Sequence, residues 1–257
     1  MGSTLSRWAA VGVGAVAAGA ALSCAAQAAA PAGGKHVVVV WSEGTAPKDV
    51  YPNDINGAIV DGLKAALPDW EVIRASLGDP DQGLPADLLA RTDVLIWWGH
   101  QRHGDVKDEL VAKIDKRVRD EGMGFISLHS SHFAKPNKVL MASPCTWGAY
   151  VGDSTTLKVT VSAPQHPIAA GVGEFTIAHH ERYSDPYAVP PAQTIVFEGV
   201  ATLKDGTTDA SKQGFCWEIG KGRMFYFQAG HETDPVFMDA NIRRLMANAV
   251  RWAAPAE

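Results

Sequence analysis

The chain has 257 residues, of which 46% are hydrophobic and 20% charged, and a formal net charge of −5. This is enough apolar material for the core of one α/β domain of ordinary size. An acidic balance without a Lys/Arg-rich run excludes the usual pattern of nucleic-acid-binding proteins and of proteins that bind anionic membrane surfaces.

The first 28 residues have the pattern of an export signal. Arg7 is the lone charge, an Ala/Gly/Val-rich run follows over residues 8–22, and Ala26-Gln27-Ala28 is a small-x-small cleavage site. We expect cleavage after Ala28, a flexible leader over residues 29–35, and a periplasmic or extracellular protein. The apolar run is too short for a confident transmembrane helix, so no membrane span is expected in the mature chain.

The sequence contains three cysteines, one in the export signal and two in the mature chain. Cys24 is a less favoured site for lipoprotein anchoring. The mature chain keeps Cys145 and Cys216, which form a disulfide in an exported protein or stay as two buried thiols.

The first half of the mature chain alternates between apolar runs of strand length and helical periodicity. Strands are predicted over residues 35–41, 70–74, 93–98 and 125–128. Helices are predicted from Asp54, which we expect to cap the first of them, and over residues 85–91, 106–120 and 133–142. This rhythm predicts a parallel sheet with helices on both faces.

The second half predicts an antiparallel extension of that sheet. Residues 157–161 alternate between apolar and polar side chains, as a half-exposed strand does. Further short strands are predicted over residues 175–177, 194–197, 214–217 and 223–227, before a closing helix over residues 238–252. No linker divides the chain, so we expect a single domain over residues 36–253.

The central predicted strand ends abruptly on His129-Ser130-Ser131-His132, beside the start of a helix. Ligands bind at the carboxyl ends of strands in open α/β sheets, and a helix N-terminus there favours negative charge. Ser130 stands at a strand-helix elbow, where hydrolases expose a nucleophile. The glycine pattern of such elbows is absent, because His129 and His132 occupy those places, so we do not expect Ser130 to attack a substrate.

Other predicted strands also end on reactive side chains. The first runs into Trp41-Ser42-Glu43, the third into His100 and His103, and the last into His231-Glu232. Side chains that reach one sheet edge from separate strands are the mark of a functional site.

One use of these residues is metal binding. Two His-x-x-His pairs have a spacing seen among zinc ligands, and a carboxylate from Glu43, Glu181 or Glu232 completes a site with an open position. The expected ion is Zn²⁺ or another divalent metal, and the candidate ligands are His100, His103, His129 and His132.

The second use is acid/base catalysis, because imidazoles and carboxylates move protons near neutral pH. The candidate catalytic residues are His129, His231, Glu181 and Glu232. Aromatic rings near the strand ends offer faces for a sugar, although each is also a candidate for core packing. The candidate substrate-binding residues are Trp41, Glu43, Trp98, Ser130 and Tyr183.

A set of short motifs, in order along the chain, resembles the ThuA-like family of trehalose-utilisation proteins over about residues 37–253. The motifs are Val40-Trp41-x-Glu43, Tyr51-Pro52, Ile96-Trp97-Trp98-Gly99-His100-x-x-His103, Gly122-Met123-Gly124, Leu128-His129-Ser130-x-His132, His166-Pro167-Ile168, Glu181-x-Tyr183, Gly220-Lys221-Gly222 and Gly230-His231-Glu232-Thr233.

The resemblance implies a flavodoxin-like three-layer α/β/α sandwich related to class I glutamine amidotransferases. Those enzymes carry a cysteine nucleophile at the elbow and a His-x-Glu pair. Here the elbow carries His129-Ser130, and Glu232 follows His231 directly, so we do not expect a glutamine amidotransferase.

The resemblance further implies a role in the catabolism of trehalose and related disaccharides, including 3-keto sugars. Our first hypothesis is an exported enzyme, a hydrolase or lyase, acting on a disaccharide, glycoside or keto-sugar by metal- or His/Glu-assisted hydrolysis, elimination or hydration. The alternative is a non-catalytic sugar-binding or sensing protein that uses the same crevice. The protein could form an oligomer under either hypothesis.

Overall fold

The structure, a computed structural model, describes residues 1–2 and 35–255. The predicted export signal and leader, with Cys24, lie outside these residues except for positions 1, 2 and 35. None of the helices found within the described residues is long and apolar enough to cross a membrane.

The described residues form one nine-stranded sheet in the order β2-β1-β3-β4-β9-β8-β7-β5-β6. The strands are β1 (Val37–Ser42), β2 (Glu71–Ser76), β3 (Val94–Trp98), β4 (Gly124–Leu128), β5 (Trp147–Val161), β6 (Phe175–Tyr187), β7 (Thr194–Thr202), β8 (Thr208–Ile219) and β9 (Gly222–Phe227). The helices are α1 (Asp54–Ala66), α2 (Ala86–Arg91), α3 (Asp108–Glu121), α4 (Lys135–Met141) and α5 (Ala240–Ala253).

Strands β2, β1, β3, β4 and β9 are parallel, and the remaining pairings are antiparallel. Every residue of β1, β3 and β4 is buried, because helices cover both faces of this part of the sheet. Apolar side chains of α1 and α5 pack on one face, and those of α2, α3 and α4 pack on the other. The predicted α/β sandwich with an antiparallel extension is confirmed.

The antiparallel strands are longer than the sequence predicted. Strand β5 has 15 residues and β6 has 13, whereas the predicted strands covered five and three residues there. Their register shifts at irregular positions, which breaks the alternation by which a strand is detected in a sequence. As a result Glu181, which lies beyond the predicted strand over residues 175–177, falls within β6.

Asp54 does not cap α1. The N-cap is Asn53, and Asp54 itself has a left-handed φ of 61°. Its carboxylate instead accepts hydrogen bonds from the Ser42 hydroxyl and from the backbone N–H of Ala46 at 3.0 Å. The side chain therefore fixes the loop that follows β1 rather than the helix start.

The two cysteines of the domain, Cys145 and Cys216, are both free and buried. Of the two alternatives left open by the sequence, the structure shows buried thiols and no disulfide between them.

Candidate active site

The elbow after β4 holds His129 in a strained backbone conformation. The residue has a φ of 53°, a left-handed value that costs about 1–3 kcal/mol for a residue other than glycine. Its backbone carbonyl accepts a hydrogen bond from the Tyr226 hydroxyl at 3.0 Å. His129 Nδ1 lies 3.0 Å from the carbonyl oxygen of Gln228. His129, rather than Ser130, thus occupies the sharp point of the elbow.

Three imidazoles from three strand ends meet at this point. The ring centroids lie 5.6 Å apart for His100 and His129, 4.7 Å for His100 and His231, and 5.4 Å for His129 and His231. His129 follows β4, His100 follows β3 and His231 follows β9. These strands are adjacent and parallel, so their carboxyl ends share one edge of the sheet.

Glu181 of β6 lies among the three imidazoles. Its carboxylate oxygens are 2.8 Å from Nε2 of His129, 3.5 Å from Nε2 of His231 and 3.9 Å from Nε2 of His100. The Tyr150 hydroxyl donates a hydrogen bond to Oε1 at 2.5 Å. Burial works to raise the pKa of Glu181, but the contact with His129, the charge of His129 and the Tyr150 hydrogen bond lower the pKa to about 2.

Glu232 is the second carboxylate of the cluster and holds His100. Oε2 of Glu232 lies 2.7 Å from Nδ1 of His100, and Oε1 accepts a hydrogen bond from the Gln101 side chain at 2.7 Å. Burial works to lower the pKa of His100, yet the hydrogen bond and charge of Glu232, with the charges of Glu181 and Glu43, raise the pKa above its usual value. The pKa of His231 is lowered, chiefly by burial.

Glu43 positions the loop that carries His100. Its Oε2 accepts three successive backbone N–H groups, from His100 at 2.9 Å, Gln101 at 2.7 Å and Arg102 at 2.9 Å. The side chain is 2% exposed. The prediction that Glu43 binds substrate does not fit these contacts, because the carboxylate is buried and already bound to the backbone.

The structure does not bring the two His-x-x-His pairs into one cluster. His132 is fully buried and its Nδ1 lies 2.9 Å from the carbonyl oxygen of His129. Its ring faces Phe133 and Tyr183, with centroids 4.1 and 4.6 Å away. Burial above all lowers the pKa of His132 to about 3. The short 3₁₀ turn at His129–Phe133 therefore directs His132 away from the other imidazoles.

His103 also lies apart from the cluster, with Nδ1 3.5 Å from Oε1 of Glu43. Within the described residues, the one group of ligand-type side chains close enough together for a metal ion is instead His100, His129, Glu181 and His231. Two of the four metal ligands predicted from the sequence belong to it.

Trp41 and Trp98 do not face a substrate site. Both are fully buried. Trp41 stacks on Trp97 with ring centroids 3.7 Å apart, and the indole N–H of Trp98 donates to the carbonyl oxygen of Gly230 at 2.9 Å. Both tryptophans lie on strands covered on both faces, and this burial favours core packing, the other role considered for them, over contact with a substrate.

A cavity of about 560 Å³ opens next to the cluster. Its lining residues are His100, His103, Ser130, Phe133, Thr146, Trp147, Ala149, Tyr150 and Tyr183. Two of the predicted substrate-binding residues, Ser130 and Tyr183, line it, and their hydroxyl oxygens lie 2.7 Å apart.

Sequence reasoning missed Tyr150, which is 58% exposed and pairs across β5 and β6 with Tyr183. The signal that would have found it is an aromatic residue opposite Tyr183 on a neighbouring strand. Gln101, whose side chain donates to Glu232, and Gln228, whose backbone carbonyl contacts His129, were also missed, because neither contact leaves a signal in the sequence.

Comparison with known proteins adds a family and a fold. The family ThuA, described as trehalose utilisation, matches residues 37–253. No protein among the curated sequences matches.

Two solved ThuA-like proteins superpose with TM-scores of 0.60. The protein from Parabacteroides merdae is 14% identical, with 86% of this chain and 90% of that chain covered. The protein from Bacteroides uniformis is 16% identical, with 87% and 94% covered. A glutamine amidotransferase from Thermotoga maritima superposes with a TM-score of 0.50 at 13% identity, covering 77% of this chain and 76% of that one. At these identities the superpositions show the shared fold alone.

Proposed function

The chain belongs to the ThuA trehalose-utilisation family, and on that premise we propose that it is an enzyme acting on a disaccharide, a glycoside or a keto-sugar. The reaction class is hydrolysis, elimination or hydration. Each of these reactions needs a polarised oxygen and a proton moved to or from the sugar. The groups proposed to do this are His100, His129, His231, Glu181 and Glu232.

The observation that carries the proposal is the convergence of the three imidazoles on Glu181 beside the cavity. The environments of these groups push their pKa values in opposite directions. The pKa of His100 is raised and that of His231 is lowered. Such divergence assigns the acid and the base of a site, which supports a proton donor at His100 and a proton acceptor at His231.

The cavity supports a sugar as the substrate. Its volume of about 560 Å³ falls in the usual range for small-molecule sites, about 300–1,000 Å³. Trp147 and Tyr150 line it and give the apolar face of a pyranose a surface to pack against. Ser130 and Tyr183 supply hydroxyl groups on the same wall.

Glutamine amidotransfer is not the chemistry we propose. That reaction needs a thiolate nucleophile, and the elbow holds His129 instead. Burial raises the pKa of both Cys145 and Cys216, which opposes thiolate formation.

The test is to incubate the purified protein with trehalose, its 3-keto form and a panel of glycosides, and to follow the sugars by NMR. We expect new sugar products with the wild type, and their formation to be at least about 100-fold slower with Glu181→Gln. Binding of a sugar that is recovered unaltered would contradict the enzyme and support the sugar-binding alternative. Labelling of Ser130 or a cysteine by an acyl-type probe would contradict the assigned groups.

Export through residues 1–28 is part of the same proposal. It predicts that a full-length chain expressed in a Gram-negative bacterium accumulates in the periplasm with Ala29 as its N-terminal residue. N-terminal sequencing of the fractionated protein measures this, and a cytoplasmic chain that keeps Met1 would contradict it.

A further inference from the structure

We infer that His100, His129, His231 and Glu181 together bind one divalent transition-metal ion, with Zn²⁺ the expected ion. The inference rests on the proposed function only in placing the ion at the site of the reaction. The binding itself depends on the geometry of the four side chains and needs no substrate.

The first support is the spacing and burial of the ligand atoms. One ligand atom from each of the four side chains can be chosen so that all lie within 4.8 Å of one another. His129 is fully buried and Glu181 is 6% exposed. Three imidazoles, which lose any bound proton when they take up a metal, and one carboxylate suit Zn²⁺ and its first-row neighbours, because imidazole is a ligand these ions share.

The second support is that each imidazole has its Nδ1 atom engaged away from the centre. Nδ1 of His129 lies 3.0 Å from the Gln228 carbonyl oxygen. Nδ1 of His100 lies 2.7 Å from Glu232 Oε2. Nδ1 of His231 lies 2.7 Å from the Thr233 hydroxyl. Metal-binding histidines are held in this way, with one nitrogen fixed by a carbonyl, carboxylate or hydroxyl and the other left for the ion.

All three Nε2 atoms consequently face Glu181. The one on His129 is buried and has no hydrogen-bond partner of good geometry, although Glu181 Oε2 is 2.8 Å away. A buried nitrogen without such a partner calls for a specific cause, and an ion is one of the recognised causes. A cation between Nε2 and the carboxylate satisfies both groups at once.

The site needs a modest closure to hold zinc. Zinc–ligand bonds of about 2.0–2.2 Å place tetrahedral ligand atoms about 3.4 Å apart. The spacing of up to 4.8 Å must therefore shrink by about 1.4 Å, and the 2.8 Å between His129 Nε2 and Glu181 Oε2 must widen by about 0.6 Å. The side chains of His100 and His231 are 21% and 17% exposed, so they have room to move, while buried His129 stays in place.

Binding of the ion would change which group of the cluster transfers protons. The Nε2 atoms would then not accept protons, and a water bound as a fifth ligand, acidified toward neutral pH by the ion, would be the group that transfers them. His100 also lines the cavity, so the position of that fifth ligand would be reached from the space proposed for the sugar. Glu232 then acts as a positioning residue that holds the His100 ring.

The experiment is a titration of chelator-stripped protein with Zn²⁺ by calorimetry, together with Co²⁺ substitution followed by its visible spectrum. We expect one ion per chain and Co²⁺ bands of nitrogen/oxygen coordination. His231→Gln should abolish measurable binding. Glu232→Gln, which removes the charge that orients His100, should weaken binding about 10–100-fold.

His103→Gln is the matched control, because His103 is a neighbouring histidine outside the proposed ligand set. It should bind Zn²⁺ as tightly as the wild type. Circular dichroism spectra and melting temperatures of all variants show that they are folded. His231 is substituted rather than His129 because the His231 side chain is 17% exposed and His129 is fully buried, so the substitution disturbs the packing less.

Absence of binding by the wild type would overturn the inference, as would loss of binding in His103→Gln with retention in His231→Gln. Sugar turnover by metal-free protein would overturn the role in the reaction while leaving the proposed function intact. Stoichiometric Zn²⁺ binding by a protein that turns over no sugar would support the metal site and contradict the proposed function.

Discussion

Oε2 of Glu181 lies 2.8 Å from Nε2 of His129, so a carboxylate from the antiparallel edge of the sheet meets an imidazole from the central elbow. This contact joins the two halves of the chain, because Glu181 lies on β6 and His129 follows β4. It makes Glu181 the residue on which the cluster depends most.

Replacing Glu181 by Gln should therefore reduce turnover more than it reduces stability. The amide keeps the shape of the side chain but removes the charge that the imidazoles surround. We expect a loss of about 10²–10⁴-fold in kcat, the range for groups that transfer protons. The measurement is sugar turnover beside a thermal melt, and wild-type kcat in a folded variant would contradict the assigned role.

Replacing Glu43 by Gln should destabilise the fold. The carboxylate accepts three backbone N–H groups, and hydrogen bonds to a charged group contribute about 1.5–3 kcal/mol. We expect a loss in that range in the free energy of unfolding measured with urea. Glu198, an exposed residue of β7, gives the control, since Glu198→Gln should change stability by less than about 0.5 kcal/mol. Equal effects of the two substitutions would show that the Glu43 contacts do not stabilise the loop.

The fold should lose stability in mild acid because of two buried histidines. The pKa of His132 and of His180 is lowered to about 3, in both cases chiefly by burial. The unfolded chain binds these protons near pH 6.5 and the folded chain does not, so the stabilisation is complete above about pH 6.5 and falls as the pH drops toward 3. Each histidine contributes a slope of up to about 1.4 kcal/mol per pH unit.

Urea unfolding of metal-free protein at several pH values between 7.5 and 5 measures this slope. Glu181 has a pKa lowered to about 2, so its own contribution is lost only at lower pH, as protonation of the unfolded chain sets in near pH 4.5. His180→Gln should reduce the slope by up to about 1.4 kcal/mol per pH unit, the contribution of one group. An unchanged slope in a folded variant would mean that His180 is protonated in the native protein.

Tyr150 should influence substrate binding through its ring and catalysis through its hydroxyl. Tyr150→Ala removes a face of the cavity and should raise KM by up to about tenfold, given that an aromatic contact contributes about 0.5–1.5 kcal/mol. Tyr150→Phe keeps the ring and should leave KM near the wild-type value, while kcat changes with the loss of the hydrogen bond to Glu181. Steady-state kinetics separate the two effects. A raised KM in the Phe variant equal to that of the Ala variant would contradict stacking.

Much of the fold follows from the sequence, because its determinants are local and repetitive. Residues 37–42 and 94–98 are continuous apolar runs, which occur where both faces of a strand are covered. The rule that parallel strands end at one edge then brings His100, His129 and His231 to the same side. No knowledge of side-chain contacts is needed for either step.

The differences between prediction and structure concern the direction in which side chains point and the way strands pair. The order of residues along the chain does not determine either. A continuous apolar run does not tell which side a tryptophan faces, so Trp98 was placed in the site although it is buried. A one-turn spacing suggests that His129 and His132 act together, but the His132 ring packs against Phe133 and Tyr183 and is not part of the ligand group. The predicted strand over residues 175–177 stops short of Glu181 because irregular pairing between β5 and β6 hides the strand pattern.

The position of β6 at the end of the strand order has a consequence for how the protein responds to heat. Hydrogen bonds at the border of a sheet open more readily than those at its centre, and this border carries the carboxylate that the imidazoles share. Fraying of β6 withdraws that carboxylate while the parallel strands remain intact. We therefore expect the proposed activity to be lost reversibly on warming, below the temperature at which the sandwich itself melts.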